Sequence, residues 1–251
     1  MTEMKRIIFH QPDLGKIEGL SSLLDFRSTA KRFSEEEFES LASGEGVPTG
    51  KIHCGVDGGH VLILNDAAEV HFLNLLATSG FARKVRGQTK PIDYVKPWSQ
   101  SPSPYYPDFL FYTYQEEIAI VEIKSILGMC QDENIAKFWA LRSFCEKHGF
   151  LFGFLDTELE PFSRYLLPPT ESEEEMARYF YETLGSLGGF TMANLKTMLK
   201  RFPKNKPSEV KRLVASLVLQ DPCLENRYCH DSPFCLNATE RATPASFKIF
   251  Q

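Results

Sequence analysis

Two apolar runs joined by a short polar turn constrain this chain more than any other feature. They are Phe109-Leu110-Phe111-Tyr112 and Ile118-Ala119-Ile120-Val121-Glu122-Ile123-Lys124, with Gln115-Glu116-Glu117 turning between them. Both runs are rich in β-branched and aromatic residues, and so short a connection allows only an antiparallel hairpin. Pairing 109–114 with 118–124 brings the start of the first strand to the end of the second, so Asp108 is expected close to Glu122 and Lys124. Side chains alternate across a strand, which sets Glu122 and Lys124 on the same face as Ile118 and Ile120. A carboxylate and an ammonium on an otherwise apolar face are costly unless they are paired or bound to a metal.

The elements around the hairpin predict an α/β protein. Ser34 followed by Glu37 marks a capped helix start, and the glycine-rich stretch from Gly44 to Gly59 reads as loop and turn. Val61 to Leu64 is a short strand, and Val70, Leu73 and Leu76 recur at helical spacing over 67–76. Val95 to Pro107 reads as a connection. A helix is expected over Glu133 to His148, ended by Gly149, and Phe150 to Leu155 reads as a buried strand that returns parallel to 118–124. Past Pro168-Pro169 the pattern turns helical at 171–187, 191–199 and 207–219. This predicts a small C-terminal domain of the kind seen in winged-helix or helix-turn-helix modules. The expected division is an N-terminal extension over 1–60, a core over 61–167, and a helical domain with a cysteine-containing tail over 171–251.

The candidate site suggests phosphodiester chemistry. Two carboxylates on one site suit a hard cation, Mg²⁺ with Mn²⁺ as a substitute, whose retained waters can be activated as nucleophile. Lys124 is placed to position that water or to stabilise charge developing on the phosphate. A third acid, Glu69, lies on the preceding helix, where Asp66 and Glu69 also read as a capping box.

On these residues the chain resembles the PD-(D/E)XK nuclease core. The resemblance is carried by Glu69 to Leu76, Val85-Arg86-Gly87-Gln88-Thr89, Tyr106-Pro107-Asp108-Phe109-Leu110 and Val121-Glu122-Ile123-Lys124, which together look like the TnsA endonuclease family. It spans roughly residues 60 to 157, with a weaker echo over 191–219. Tyr106 stands where the family has a threonine. The resemblance implies a mixed sheet flanked by helices, with metal-binding acids at Glu69, Asp108 and Glu122 and an essential lysine at Lys124. It also implies a Mg²⁺-dependent endodeoxyribonuclease acting on DNA beside a transposase subunit. Restriction, repair or defence nucleases share the same core, and a catalytically silent DNA- or protein-binding module on this fold is the rival from another class.

Charge and cysteines narrow the setting. The net charge of −5 excludes a uniformly basic coat, so DNA contacts would have to be local. Two basic clusters are candidates: Arg83, Lys84, Arg86 and Lys90, and the C-terminal run that includes Lys196, Lys200, Arg201 and Lys204. A solvated helix face is the plain alternative for both. Cys223, Cys229, His230 and Cys235 lack the paired spacing of a zinc site, and small apolar residues in a tail are the expected reading. With no long apolar run or leader pattern, the expectation is a cytoplasmic protein with reduced thiols and no membrane partner.

Overall fold

A computed structural model describes residues 5–6, 20, 22–42, 52–56, 60–64, 67–87, 89–97, 101–221, 227–229 and 232–235. At 5–6, 52–56, 60–64, 227–229 and 232–235 the description covers the backbone alone. The chain is α/β, and it divides into two compact units: Met1–Lys124 with Ala136–Pro161, and Ser125–Ile135 with Phe162–Gln251.

In the first unit, β1 (Lys5–Arg6) runs parallel to β2 (Ile52–Val56), and β2 pairs antiparallel with β3 (His60–Leu64). The glycine-rich stretch from Gly44 to Gly59 is therefore not all loop: Ile52 to Val56 pairs along its whole length with β3. Glycine weakens a strand but does not forbid one where both edges are partnered, as they are for β2. Helix α1 (Glu35–Leu41) begins with the expected capping box. The Glu37 N–H donates to Ser34 Oγ at 3.2 Å, and the Ser34 N–H donates to the Glu37 carboxylate at 2.7 Å.

Helix α2 (Ala67–Ser79) leads into β4 (Ala82–Gly87). A two-stranded ribbon follows, β5 (Ile92–Val95) with β6 (Pro102–Tyr105), and β6 lies inside the stretch from Val95 to Pro107 expected to be a plain connection. Pro102 and Pro104 donate no backbone hydrogen bond, a restriction that an edge position tolerates. The predicted hairpin is β7 (Phe109–Thr113) and β8 (Ile118–Lys124). Its turn is fastened by Thr113, whose Oγ1 accepts from the Gln115 and Glu117 N–H groups at 3.2 and 3.1 Å. Helix α3 (Asp132–His148) then connects to β9 (Leu151–Asp156), parallel to β8. Gly149 ends α3 at φ +78°, the left-handed conformation that glycine adopts without penalty.

The central sheet has the order β4-β7-β8-β9 and is mixed, antiparallel except for the last pair. Helices cover both faces. Phe72 of α2 stands 5.3 Å from Phe109 and 6.3 Å from Phe111 between ring centroids, on the face shared with Val121 and Ile123. Phe138 of α3 stands 5.5 Å from both Phe152 and Phe154, on the opposite face. Burial on both sides explains why β7, β8 and β9 read as nearly unbroken apolar runs rather than alternating ones. Gly153 sits at the tightest point, where a Cβ would lie 2.9 Å from Val121 Cγ2 and 3.0 Å from Leu24 Cδ2.

The second unit contains the predicted helices, α4 (Glu174–Leu187), α5 (Met192–Arg201) and α6 (Pro207–Gln220), and the short pair β10 (Arg227–Cys229) and β11 (Ser232–Cys235). Helix α6 is the most buried, through Val210, Leu213, Val214, Leu217 and Val218. Ser216 Oγ donates to the Tyr165 carbonyl at 2.7 Å, and Gln220 Nε2 to the Leu167 carbonyl at 2.7 Å. The unit thus reaches back to Phe162 and takes in 125–135, instead of starting after the Pro168-Pro169 break. No helix among the described residues is long and apolar enough to cross a membrane.

Candidate functional site

The open end of the β7–β8 hairpin collects the charged residues. The ladder's last pair is Phe109 with Val121, so Asp108 and Glu122 stand opposite each other one step further on. Pro107 has no N–H with which to continue the ladder, and side chains take over from the backbone. The Asp108 N–H donates to Glu122 Oε2 at 3.0 Å, and the Ile123 N–H donates to Asp108 Oδ2 at 2.8 Å. The two carboxylates are thereby locked reciprocally to each other's strands. Lys124 closes the group with an ion pair to Glu122 Oε1.

Glu122 is 1% exposed, while the Lys124 side chain keeps a quarter of its surface. Burial, and then the Glu122 charge, push the Asp108 carboxyl well above its ordinary range; Lys124 and the Ile123 N–H act against this without cancelling it. For the Lys124 ammonium, burial pulls down while Glu122, Asp108 and Glu69 pull up, and the acids win. Ionised together, two carboxylates against one ammonium would leave negative charge in excess in a desolvated pocket; the raised Asp108 is the response, and a bound cation would relieve it.

Glu69 approaches differently. It is buried in the first turn of α2, and α2 packs on the face of the sheet opposite to Glu122 and Lys124. Its charge still reaches both Asp108 and Lys124. Its capping partner in sequence, Asp66, lies outside the described residues, as does Gln88. Two further polar residues border the group and carry no sequence signal of their own. Asp156, wholly buried, is in register with Lys124 on β9, and its Oδ1 accepts from the Glu158 and Glu160 N–H groups at 2.7 and 3.1 Å, shaping the turn. Tyr105, at the end of β6, has an enclosed hydroxyl that the Glu122 and Asp108 charges reach.

A hard divalent ion taken up by one or two carboxylates, with water and substrate phosphate in the other positions, suits this donor set. Glu122 and Asp108 each retain lone pairs beyond the hydrogen bonds they accept. Among the described residues, no group of three His, Cys, Asp or Glu side chains is arranged to hold a metal by itself.

The basic clusters meet different fates. Arg83 pairs with Glu35 at 2.7 Å, Lys84 with Glu35 at 2.5 Å, and Arg86 with Glu39 at 2.5 Å, so two acids of α1 offset much of the charge of these three residues. The Lys84 hydrogen bond, aided by the Arg83 and Lys84 charges, holds the Glu35 carboxyl below its ordinary range. Lys196, Lys200, Arg201 and Lys204 are all exposed; the Arg201 guanidinium lies 4.9 Å from the Tyr179 ring centroid. Of the tail residues weighed for zinc, Cys223 and His230 lie outside the described residues, and Cys229 and Cys235 are described only as backbone within β10 and β11. No protein-family model, no curated protein and no solved structure matches the chain.

Proposed function

We propose that this protein is a metal-dependent DNA endonuclease with a PD-(D/E)XK-like core, and that the hairpin end is its active site. One observation carries the reading: Asp108 and Glu122 are locked to each other's backbone beside Lys124, and the Asp108 carboxyl is held well above its ordinary range, so that both acids ionise together only with a further cation. A bound Mg²⁺ or Mn²⁺ would supply a water of lowered pKa and a counter-charge for a phosphate. Glu122 and Asp108 would hold the ion, fixed in aim by the Asp108 and Ile123 N–H groups. Glu69 would add a third negative charge from the far side of the sheet. Lys124 would leave its pairing with Glu122 to orient the attacking water or to meet the charge growing on the phosphoryl oxygens. Hydrolysis in this sense leaves a 3′-hydroxyl, the end a transposase partner can use, which fits the TnsA-like resemblance of the same residues.

In this reading, the C-terminal helical domain, with Lys196, Lys200, Arg201 and Lys204 exposed, supplies phosphate contacts. A second reading has one observation in its favour. The Lys124–Glu122 ion pair also satisfies both groups with no ligand at all, as a silent nuclease-fold module would require. Nicking of supercoiled DNA with Mg²⁺, Mn²⁺ or EDTA decides between them. The nuclease nicks with either metal and stops in EDTA, and Glu122→Ala is inactive. A well-folded wild type that never nicks, with or without a transposase encoded beside it, removes the nuclease reading.

A further inference from the structure

The Tyr105 ring is tightly placed. It meets Tyr94 edge-on at 6.2 Å between centroids, and Lys137 Nζ lies 5.9 Å from its centroid and 5.3 Å from that of Tyr94. Tyr105 is 4% exposed, and its hydroxyl is fully enclosed with no hydrogen-bond partner among the described residues. A phenylalanine would fill the same ring site without this burden, because an enclosed unpartnered hydroxyl opposes folding. Packing therefore accounts for the ring and leaves the hydroxyl unexplained. Tyr105 ends β6 three residues before Asp108, the partner of Glu122, and burial first, then the Glu122 and Asp108 charges, raise its ionisation well above the ordinary range.

Glu122 has room for it. A carboxylate offers about four acceptor positions, and Glu122 spends one on Lys124 and one on the Asp108 N–H. A phenol donating to a carboxylate makes a short, charge-assisted bond. We propose that Tyr105 is a positioning residue of this site, its hydroxyl donating to the Glu122 carboxylate and holding it in place for a divalent cation. This inference rests on the cation-binding reading of the site. Tyr105 acts through Glu122 and touches neither substrate nor the reacting phosphate.

The test is Mn²⁺ binding to the full chain, measured by calorimetry and by electron paramagnetic resonance, with thermal melts alongside. Tyr105→Phe keeps the ring contacts and removes only the hydroxyl. It should weaken Mn²⁺ binding about tenfold or more, as loss of a partner that orients a metal ligand does, with a modest fall in Tm for the lost bond to the carboxylate. Tyr94→Phe removes a hydroxyl one ring away and should leave Mn²⁺ affinity unchanged. Equal Mn²⁺ affinity in the wild type and Tyr105→Phe overturns the assignment of Tyr105 alone. So does an equal loss in Tyr94→Phe, which marks a packing effect. A wild type that binds no Mn²⁺ instead overturns the cation reading itself, and with it this role.

Discussion

The charges at the hairpin end and those on the C-terminal helices obey opposite physics. Glu122 is held almost fully buried, with Asp108 and Lys124 drawn around it, and every bond there compensates a desolvation cost. Lys196, Lys200, Arg201 and Lys204 stand in solvent, where a charge costs little and contributes little to stability. The stripe of Arg83, Lys84 and Arg86 lies between these extremes: exposed enough to be read as a phosphate-binding surface, yet matched by Glu35 and Glu39 of α1. Two stripes of similar composition thus present different surfaces, and the difference is whether an acidic helix folds over them. A charge kept where it is expensive calls for a functional account; a charge kept where it is cheap does not.

The sharpest way to break this comparison is to remove the Lys124 ammonium from the buried carboxylate it pairs with. Lys124→Ala should abolish nicking altogether. It should also lower stability by about 3 kcal/mol, near the lower limit for breaking a buried pair because Lys124 is a quarter exposed. Urea melts and nicking assays read the two losses separately. Nicking at the wild-type rate would move the reaction elsewhere.

Asp108→Asn should act on stability in the opposite direction. The folded-state pKa of Asp108 lies above its unfolded value, so its contribution is fully present below the ordinary carboxylate range and is lost as pH rises towards the raised value. Melts in EDTA should show the asparagine variant more stable than the wild type at neutral pH and flatter in its pH dependence, while nicking disappears. A variant less stable than the wild type at neutral pH would mean that the carboxylate is structural.

On the exposed side the expected effect is on binding alone. Reversing Lys200, Arg201 and Lys204 to glutamate should weaken DNA affinity and flatten its dependence on salt, by about 0.9 in the logarithmic slope for each phosphate no longer neutralised, with Tm nearly unchanged. Glu35→Gln with Glu39→Gln should do the reverse, releasing the Arg83 stripe and strengthening DNA binding. Equal affinities in all three proteins would reduce both stripes to solvated surface. The smallest effect belongs to the turn: Glu116 holds φ +64°, which strains an L-residue by roughly 1–2 kcal/mol. Glu116→Gly should therefore raise stability in melts by at most about 1 kcal/mol, since glycine loses more entropy on folding.

By itself the sequence determined the hairpin, its register and the meeting of Asp108 with Glu122 and Lys124. All of that follows from alternation, a short turn and a proline at the strand start, which are local rules. The caps at Ser34 and Gly149 and the three C-terminal helices were legible for the same reason. The strand at Ile52–Val56 and the ribbon of β5 with β6 were not, because glycine and proline depress local propensity and only a paired neighbour restores the strand. The side of the sheet from which Glu69 approaches was hidden too, since it depends on how α2 crosses the sheet rather than on its own periodicity. Tertiary structure alone set Glu35 and Glu39 against the Arg83 stripe, across some 45 residues of chain. It also enclosed the Tyr105 hydroxyl beside two acids. Local geometry is written in neighbouring residues, whereas the balance of buried charge is a property of distant ones brought together.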